Sequence, residues 1–326
     1  MQQITIPQNH PHYTALKPLT KTLLDCIDAD SIYISSINNG HQTKTLISLI
    51  LKKETNGSIK ELYDITKILL EPYPQFICKI FDAERAAYSF RKGNPFFIRH
   101  CSISELVYRD SQNSPVFNPT SEELNQVVQK AKKRHIKERE EIHAVSRDLA
   151  MFIRNGNHIQ AAYILHETIW ELYYTASWFL TGTSISDKSI TKQQAHIIDY
   201  SHSIGTLFEI YDNEDATLLQ ELGLACDAVC QNFSIAISKK TIPLAVAKAE
   251  YLQQQIKHLF EENIQICKDK FSQPVTAIER AGEEIQEPVS TDELKMKILL
   301  SIRDMQMECV RILNEMFANN HHEKAI

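Results

Sequence analysis

The run of residues 155–182, NGNHIQAAYILHETIWELYYTASWFLTG, constrains this chain most, because it reads as one long buried helix with its start and stop written in. Asn155-Gly156-Asn157 is a turn signal. From Ile159 onward, apolar and small residues recur at helical spacing: Ile159, Ala162, Tyr163, His166, Ile169, Trp170, Tyr173, Ala176, Ser177 and Leu180. Gly182 can take the left-handed conformation that ends a helix. Two indoles and three tyrosines lie on this run. Burying that much ring surface needs other elements around it, so it is expected to be the central helix of an all-helical region.

The flanking sequence extends that expectation. Thr120 with Glu123 forms a capping box that opens a helix running to Arg154 with a break, and further helices are expected over 196–211, 218–237 and 244–267. Four to five antiparallel helices of such lengths make a bundle. Upstream the pattern changes. A helix over 13–27 containing Pro18 precedes a β-branched strand, 31–37, a turn at Asn38-Asn39-Gly40, and an almost continuously apolar strand, 44–52, expected in a sheet interior. A helix at 59–70, a strand at 75–81, a helix at 83–91 and a further strand within 95–110 complete a small α/β pattern. The expected fold class is therefore α+β. Residues 1–112 make an α/β domain, a polar linker over 111–119 marks the boundary, and 118–270 make the bundle. An acidic, proline-bounded linker, 271–289, then leads to a last helix, 290–320, that Ser290 and Glu293 cap.

The succession NGN, AAY, LHE, LYY and a small-residue step into TG resembles the second helix of the HEPN family of helical bundles, and the resemblance covers roughly residues 120–268. Family members often stand beside a nucleotidyltransferase-fold domain, and the strand and helix order upstream is similar to a minimal form of that fold. The resemblance implies a homodimer formed through the bundle and a nucleotide or RNA as ligand. For active transferases it implies a Gly-Ser pair after the first strand and two aspartates on the second, holding magnesium against phosphate charge. Here the first strand leads into Ser35-Ser36-Ile37-Asn38-Asn39-Gly40, and residues 44–53 contain no acidic side chain. Asp28 and Asp30 have the spacing but fall before the expected first strand, where solvated turn residues are the plainer reading. For HEPN ribonucleases the resemblance implies an arginine, a gap of four to six residues, and a histidine. The guanidinium would hold the scissile phosphate while the imidazole moves protons. The nearest pairs here, Arg139 with His143 and Arg154 with His158, have only three residues between them.

Other side chains carry chemistry of their own. Lys132, Lys133, Arg134, His135 and Lys137 form a basic cluster that Glu138, Glu140 and Glu141 balance; this reads as a solvated, ion-paired helix face, with RNA contact as the alternative. His166 among apolar neighbours reads first as a buried, satisfied histidine. Its functional alternative is a cleft in which Tyr163, His166, Glu167 and Trp170 hold a planar ligand. Cys226 and Cys230, four apart, could bind a metal but read better as small core residues. No Gly-rich phosphate loop, G-x-S-x-G elbow or H-E-x-x-H is present.

Glycine is scarce, at 8 residues, which favours helix over loop-rich β structure. A formal charge of −6 argues against a protein that coats nucleic acid nonspecifically. Seven scattered cysteines without a C-x-x-C pair suggest reduced thiols and the cytoplasm. MQQITIPQNH has no basic segment followed by an apolar run, so no secretory signal is expected, and no apolar stretch is long enough for a membrane span. The expectation is a noncatalytic, nucleotide- or RNA-associated binding and dimerisation module with no metal and no cofactor. The alternatives are a divergent ribonuclease using Lys132, Lys133, Arg134, Arg139, His143, Arg154 or His158, and a structural partner-binding protein.

Overall fold

Asn38-Asn39-Gly40 closes a β-hairpin: Gly40 takes φ +88°, and Asn39 Oδ1 accepts the backbone N–H groups of His41 and Gln42 at 3.0 and 2.9 Å. The computed structural model describes residues 4–53, 58–110 and 117–272. In chain order these form α1 (Tyr13–Cys26), β1 (Ala29–Asn38), β2 (Thr43–Leu51), α2 (Ile59–Leu70), β3 (Phe76–Asp82), α3 (Ala83–Arg91), α4 (Pro95–His100) and β4 (Leu106–Arg109). There follow α5 (Ser121–Ser146), α6 (Leu149–Arg154), α7 (His158–Thr181), α8 (Ile190–Ile197), α9 (His202–Gly205), α10 (Asn213–Gln231) and α11 (Thr241–Ser272). The chain is α+β. Its mixed sheet has the order β3-β2-β1-β4, with β2 parallel to β3 and β1 antiparallel to both β2 and β4. The expected linkers are outside the described residues at 111–116 and 273–289, as are the expected helix 290–320 and the thiol of Cys309.

By their contacts the described residues fall into two units. One consists of residues 6–27 and 58–72. Here α1 accommodates Pro18, α2 opens on a capping box between Ser58 and Glu61, and the two helices pack together. The other unit carries the sheet and every helix from α3 onward. Its hydrophobic core is one cluster: Tyr33, Leu46, Ile50 and Phe81 from the strands join Phe96 and Phe97 of α4, Val128 of α5, Leu165 and Tyr173 of α7, Leu222 of α10 and Leu252 and Phe260 of α11. As expected, β2 is interior, with Thr45 through Leu51 all buried. α7 is central to this cluster. Its last seven residues, Thr175 through Thr181, are all buried, and Gly182 ends it at φ +79°.

The further strand expected within 95–110 is β4, and the residues ahead of it, 95–100, form α4, because Asn94 Oδ1 accepts Phe96 N–H at 3.0 Å and Pro95 fills the first helical position, where no amide partner is needed. Two expectations are corrected. The helix expected over 196–211 breaks up: α8 ends at Ile197, and only α9 follows. Asn39 holds this turn by donating from Nδ2 to Ile198 O at 3.2 Å and accepting His202 N–H on its own carbonyl at 2.8 Å. Gln194 then binds Phe208 as a strand would, accepting its N–H at 2.8 Å and donating to its carbonyl at 3.0 Å. Lastly, Asp30 lies on β1, with Asp28 just before it.

Candidate functional site

The polar residues of α7 gather around Glu167. Its carboxylate is shared between two directions. Oε2 takes the Lys188 ammonium at 2.5 Å, while Oε1 faces His166 Nδ1 at 3.4 Å and Cys226 Sγ at 4.0 Å. Helical spacing puts Tyr163 and Trp170 on the same side, one turn to either side of this group. Lys188 reaches it from the loop after α7 and also sits 4.9 Å over the Trp170 ring. Trp170 Nε1 donates to Asp187 O at 3.0 Å, and its ring meets that of Tyr174 at 5.4 Å. Cys226 comes from α10, which packs against α7.

Burial and charge set the chemistry of this group. His166 is 5% exposed, and its Nδ1, 3.4 Å from Glu167 Oε1, has no hydrogen-bond partner. The nearby His166 ring, then the Lys188 ammonium, hold the Glu167 carboxyl below its usual range against the opposing cost of desolvation. Desolvation, then the Glu167 charge, pushes the Cys226 thiol up to about 11. The same two causes raise the Tyr163 phenol and the Glu171 carboxyl. Cys226 is half-buried and Cys230 exposed, so the core reading of this pair is corrected: the two thiols edge the Glu167 group. Among the described residues, one set of three or more His, Cys, Asp or Glu side chains brings its ligand atoms within 4.8 Å of one another, namely His166, Glu167 and Cys226.

The basic residues of α5 do not form one face. Arg134 lies 4.0 Å over the Trp178 ring and pairs with Glu138 at 2.6 Å. His135 stacks on Phe260 at 4.1 Å. Lys133 is exposed, Lys132 and Arg139 are half-buried, and Lys137 pairs with Glu141 at 3.2 Å. His143 is exposed, with Nε2 at 3.4 Å from Gln253 Nε2. Arg154 closes α6 and His158 opens α7 across the turn at Gly156, as the sequence implies. His158 lines a groove of about 340 Å³ with Ile153, Ile242, Pro243, Val246 and Glu250, a lining that includes none of Tyr163, His166, Glu167 and Trp170.

His135 carries an acid-stability prediction. It is 7% exposed, neither ring nitrogen is hydrogen-bonded, and desolvation, then the Arg139 charge, lowers its pKa to about 4. The unfolded ring takes a proton near pH 6.5, so this stabilisation is complete above that value and drains away as pH falls toward 4. By pH 5 the loss is about 2 kcal/mol. His135→Leu is expected to keep the fold and to lessen the fall in stability between pH 7 and 5 by that amount. An unchanged pH dependence in urea titrations would remove His135 as its source.

The residues that sequence reasoning missed are Lys188, which stands in a polar loop with no pattern to mark it, and Cys226 as a partner of Glu167. The four-residue spacing of Cys226 and Cys230 was the visible signal. The six cysteines among the described residues are free thiols, and no helix among those residues is long and apolar enough to cross a membrane. No protein-family model matches this chain, and no curated protein matches it either.

Proposed function

We propose that this chain is a noncatalytic binding module for a nucleotide or an RNA end, with the ligand seated on the outer face of α7. The supporting observation is the half-exposed pair of rings, Tyr163 and Trp170, on either side of the Glu167–Lys188 ion pair. A base would stack on ring surface of this kind, and Lys188 would meet the charge of a phosphate. On β2 no carboxylate stands ready to hold magnesium, and neither Arg139 with His143 nor Arg154 with His158 has the spacing that HEPN ribonucleases use. The module is further proposed to pair with a second copy. Ile136, Val145 and Met151 support this, being large apolar side chains left 54%, 41% and 48% exposed on α5 and α6.

Trp170 is half-exposed and Trp178 is buried, which makes the test optical. Titrating ATP or a short RNA is expected to quench tryptophan emission, and Trp170→Phe is expected to abolish the quench while the far-ultraviolet circular dichroism stays the same. Absence of heat and of quenching with either ligand would overturn the reading. So would RNA cleavage that disappears in Arg139→Ala or His143→Ala.

A further inference from the structure

We propose that His166, Glu167 and Cys226 form a binding site for a thiophilic divalent cation of the zinc type, with α7 supplying nitrogen and oxygen ligands and α10 the sulfur.

The donor set suits such an ion. Zinc takes imidazole, carboxylate and thiolate at about 2.0–2.3 Å in a tetrahedron, which puts neighbouring ligand atoms about 3.3–3.6 Å apart. His166 Nδ1 and Glu167 Oε1 already stand at 3.4 Å, Glu167 Oε1 and Cys226 Sγ at 4.0 Å, and no pair among the three exceeds 4.8 Å. Calcium and magnesium prefer all-oxygen cages, so the mixed nitrogen, oxygen and sulfur set selects against them.

The surroundings point the same way. Nδ1 of His166 is a buried polar atom without a hydrogen bond, turned toward the carboxylate and thiol; such an atom is costly unless something uses it. Lys188 occupies Oε2 and leaves Oε1 to face the other two ligands, which is how a neighbouring charge orients a ligating carboxylate. One turn along α10, Cys230 brings a second thiol to the exposed side of the group. A dication with one carboxylate, one thiolate and the Lys188 ammonium leaves a single positive charge. Deprotonating Cys230 as well would neutralise the group, which suits a half-buried place.

Binding is a proton exchange. The Cys226 thiol gives its proton to solvent as the metal–sulfur bond forms, and Lys188 keeps its own. The groups facing the ion are Tyr163, His166, Glu167 and Glu171 from α7, Lys188 from the loop, and Cys226 and Cys230 from α10. With the thiol protonated in the empty site, affinity is expected to rise about tenfold per pH unit between pH 6 and 8 for each proton released.

This inference is independent of nucleotide binding, because every readout uses the full reduced chain with Co²⁺ or Zn²⁺ and no nucleotide. The expected result with Co²⁺ is a single bound ion giving intense tetrahedral d–d bands and a sulfur-to-cobalt charge-transfer band. Zn²⁺ is expected to displace it and to raise the melting temperature. Cys226→Ser is expected to abolish the charge-transfer band, and both this variant and Glu167→Gln to weaken binding by more than about 100-fold. Weak octahedral bands without sulfur character in the unmodified chain would overturn the proposal, and that outcome does not depend on any variant folding. Undiminished affinity in Cys226→Ser would overturn it too, since the ion would then be held elsewhere.

Discussion

Asn94→Ala is expected to cost about 3–5 kcal/mol, a large effect for a single polar truncation, because one buried amide serves two helix ends. Asn94 is 0% exposed. Nδ2 donates to Trp178 O at 2.8 Å and to Gly182 O at 3.3 Å, closing the end of α7, while Oδ1 accepts Phe96 N–H at 3.0 Å and opens α4. Truncation leaves all three backbone groups buried without these partners, at about 1–3 kcal/mol each before relaxation. Asn94→Asp separates the two roles. Aspartate is as good an N-cap as asparagine, so a pure capping role would make the change nearly neutral. It would, however, turn a carboxylate toward two carbonyl oxygens in a dry site, and the expected loss is at least as large as for alanine. Urea titration of both variants decides between these roles, and an Asn94→Asp variant as stable as the parent would refute the two-ended account.

The same node explains a glycine. At φ +79° a side chain is strained, and a Cβ on Gly182 would lie 2.8 Å from Phe96 Cδ1 and 2.9 Å from Phe81 Cε1. Gly93, at φ +92°, is held just as closely: its Cβ would meet Ala131 N at 2.7 Å on α5. The Gly93-Asn94-Pro95 corner therefore seats α4 between α5 and the end of α7. Because Gly182→Ala would disturb the acceptor that Asn94 binds, the two substitutions together are expected to cost less than their sum.

This node also marks where sequence reading stops. The bounds of α7 are legible, since the Asn155-Gly156-Asn157 turn, the apolar spacing and Gly182 are all local signals. The capping boxes at Ser58 and Thr120 are legible for the same reason. The segment 196–211 is not legible, because its conformation depends on a side chain binding backbone far away in sequence, Asn39 at Ile198. For 95–100 the apolar run PFFI fits either a strand or a helix, and only the local Asn94 cap and Pro95 mark the helix. The Glu167 group is half legible on the same grounds. Tyr163, His166, Glu167 and Trp170 fall together by helical spacing alone. Cys226, 59 residues further on, and Lys188, 21 residues further on, are joined to Glu167 only by the packing of α10 and the return of the loop. Inward turning of Arg134 and His135 was hidden similarly: a run of basic residues looks solvated until Trp178 and Phe260 are found beneath it.

Lys248→Met is expected to destabilise the fold by about 3–5 kcal/mol, because it strips the counter-charge from a buried carboxylate. Asp215 is 6% exposed; Lys248 Nζ stands 2.7 Å from its Oδ1 and 2.8 Å from its Oδ2, and donates to Leu207 O at 2.7 Å. Oδ2 also accepts Glu209 N–H at 2.8 Å, and the ammonium lies 5.1 Å over the Phe208 ring. The pair thus fastens residues 207–209, which belong to no helix, between α10 and α11. Removing one member should cost far more than removing both: Asp215→Asn with Lys248→Met is expected to recover most of the loss, since no uncompensated charge stays buried. The effect should persist in about 1 M salt, which screens exposed pairs but barely reaches this one. Amide exchange over 202–212 should rise in the single variant before global unfolding. A cost under about 1 kcal/mol, vanishing in salt, is what a solvent-exposed bridge would give. That result would mean the hydrogen bonds from the Gln194 side chain to the Phe208 backbone hold this segment without help from the pair.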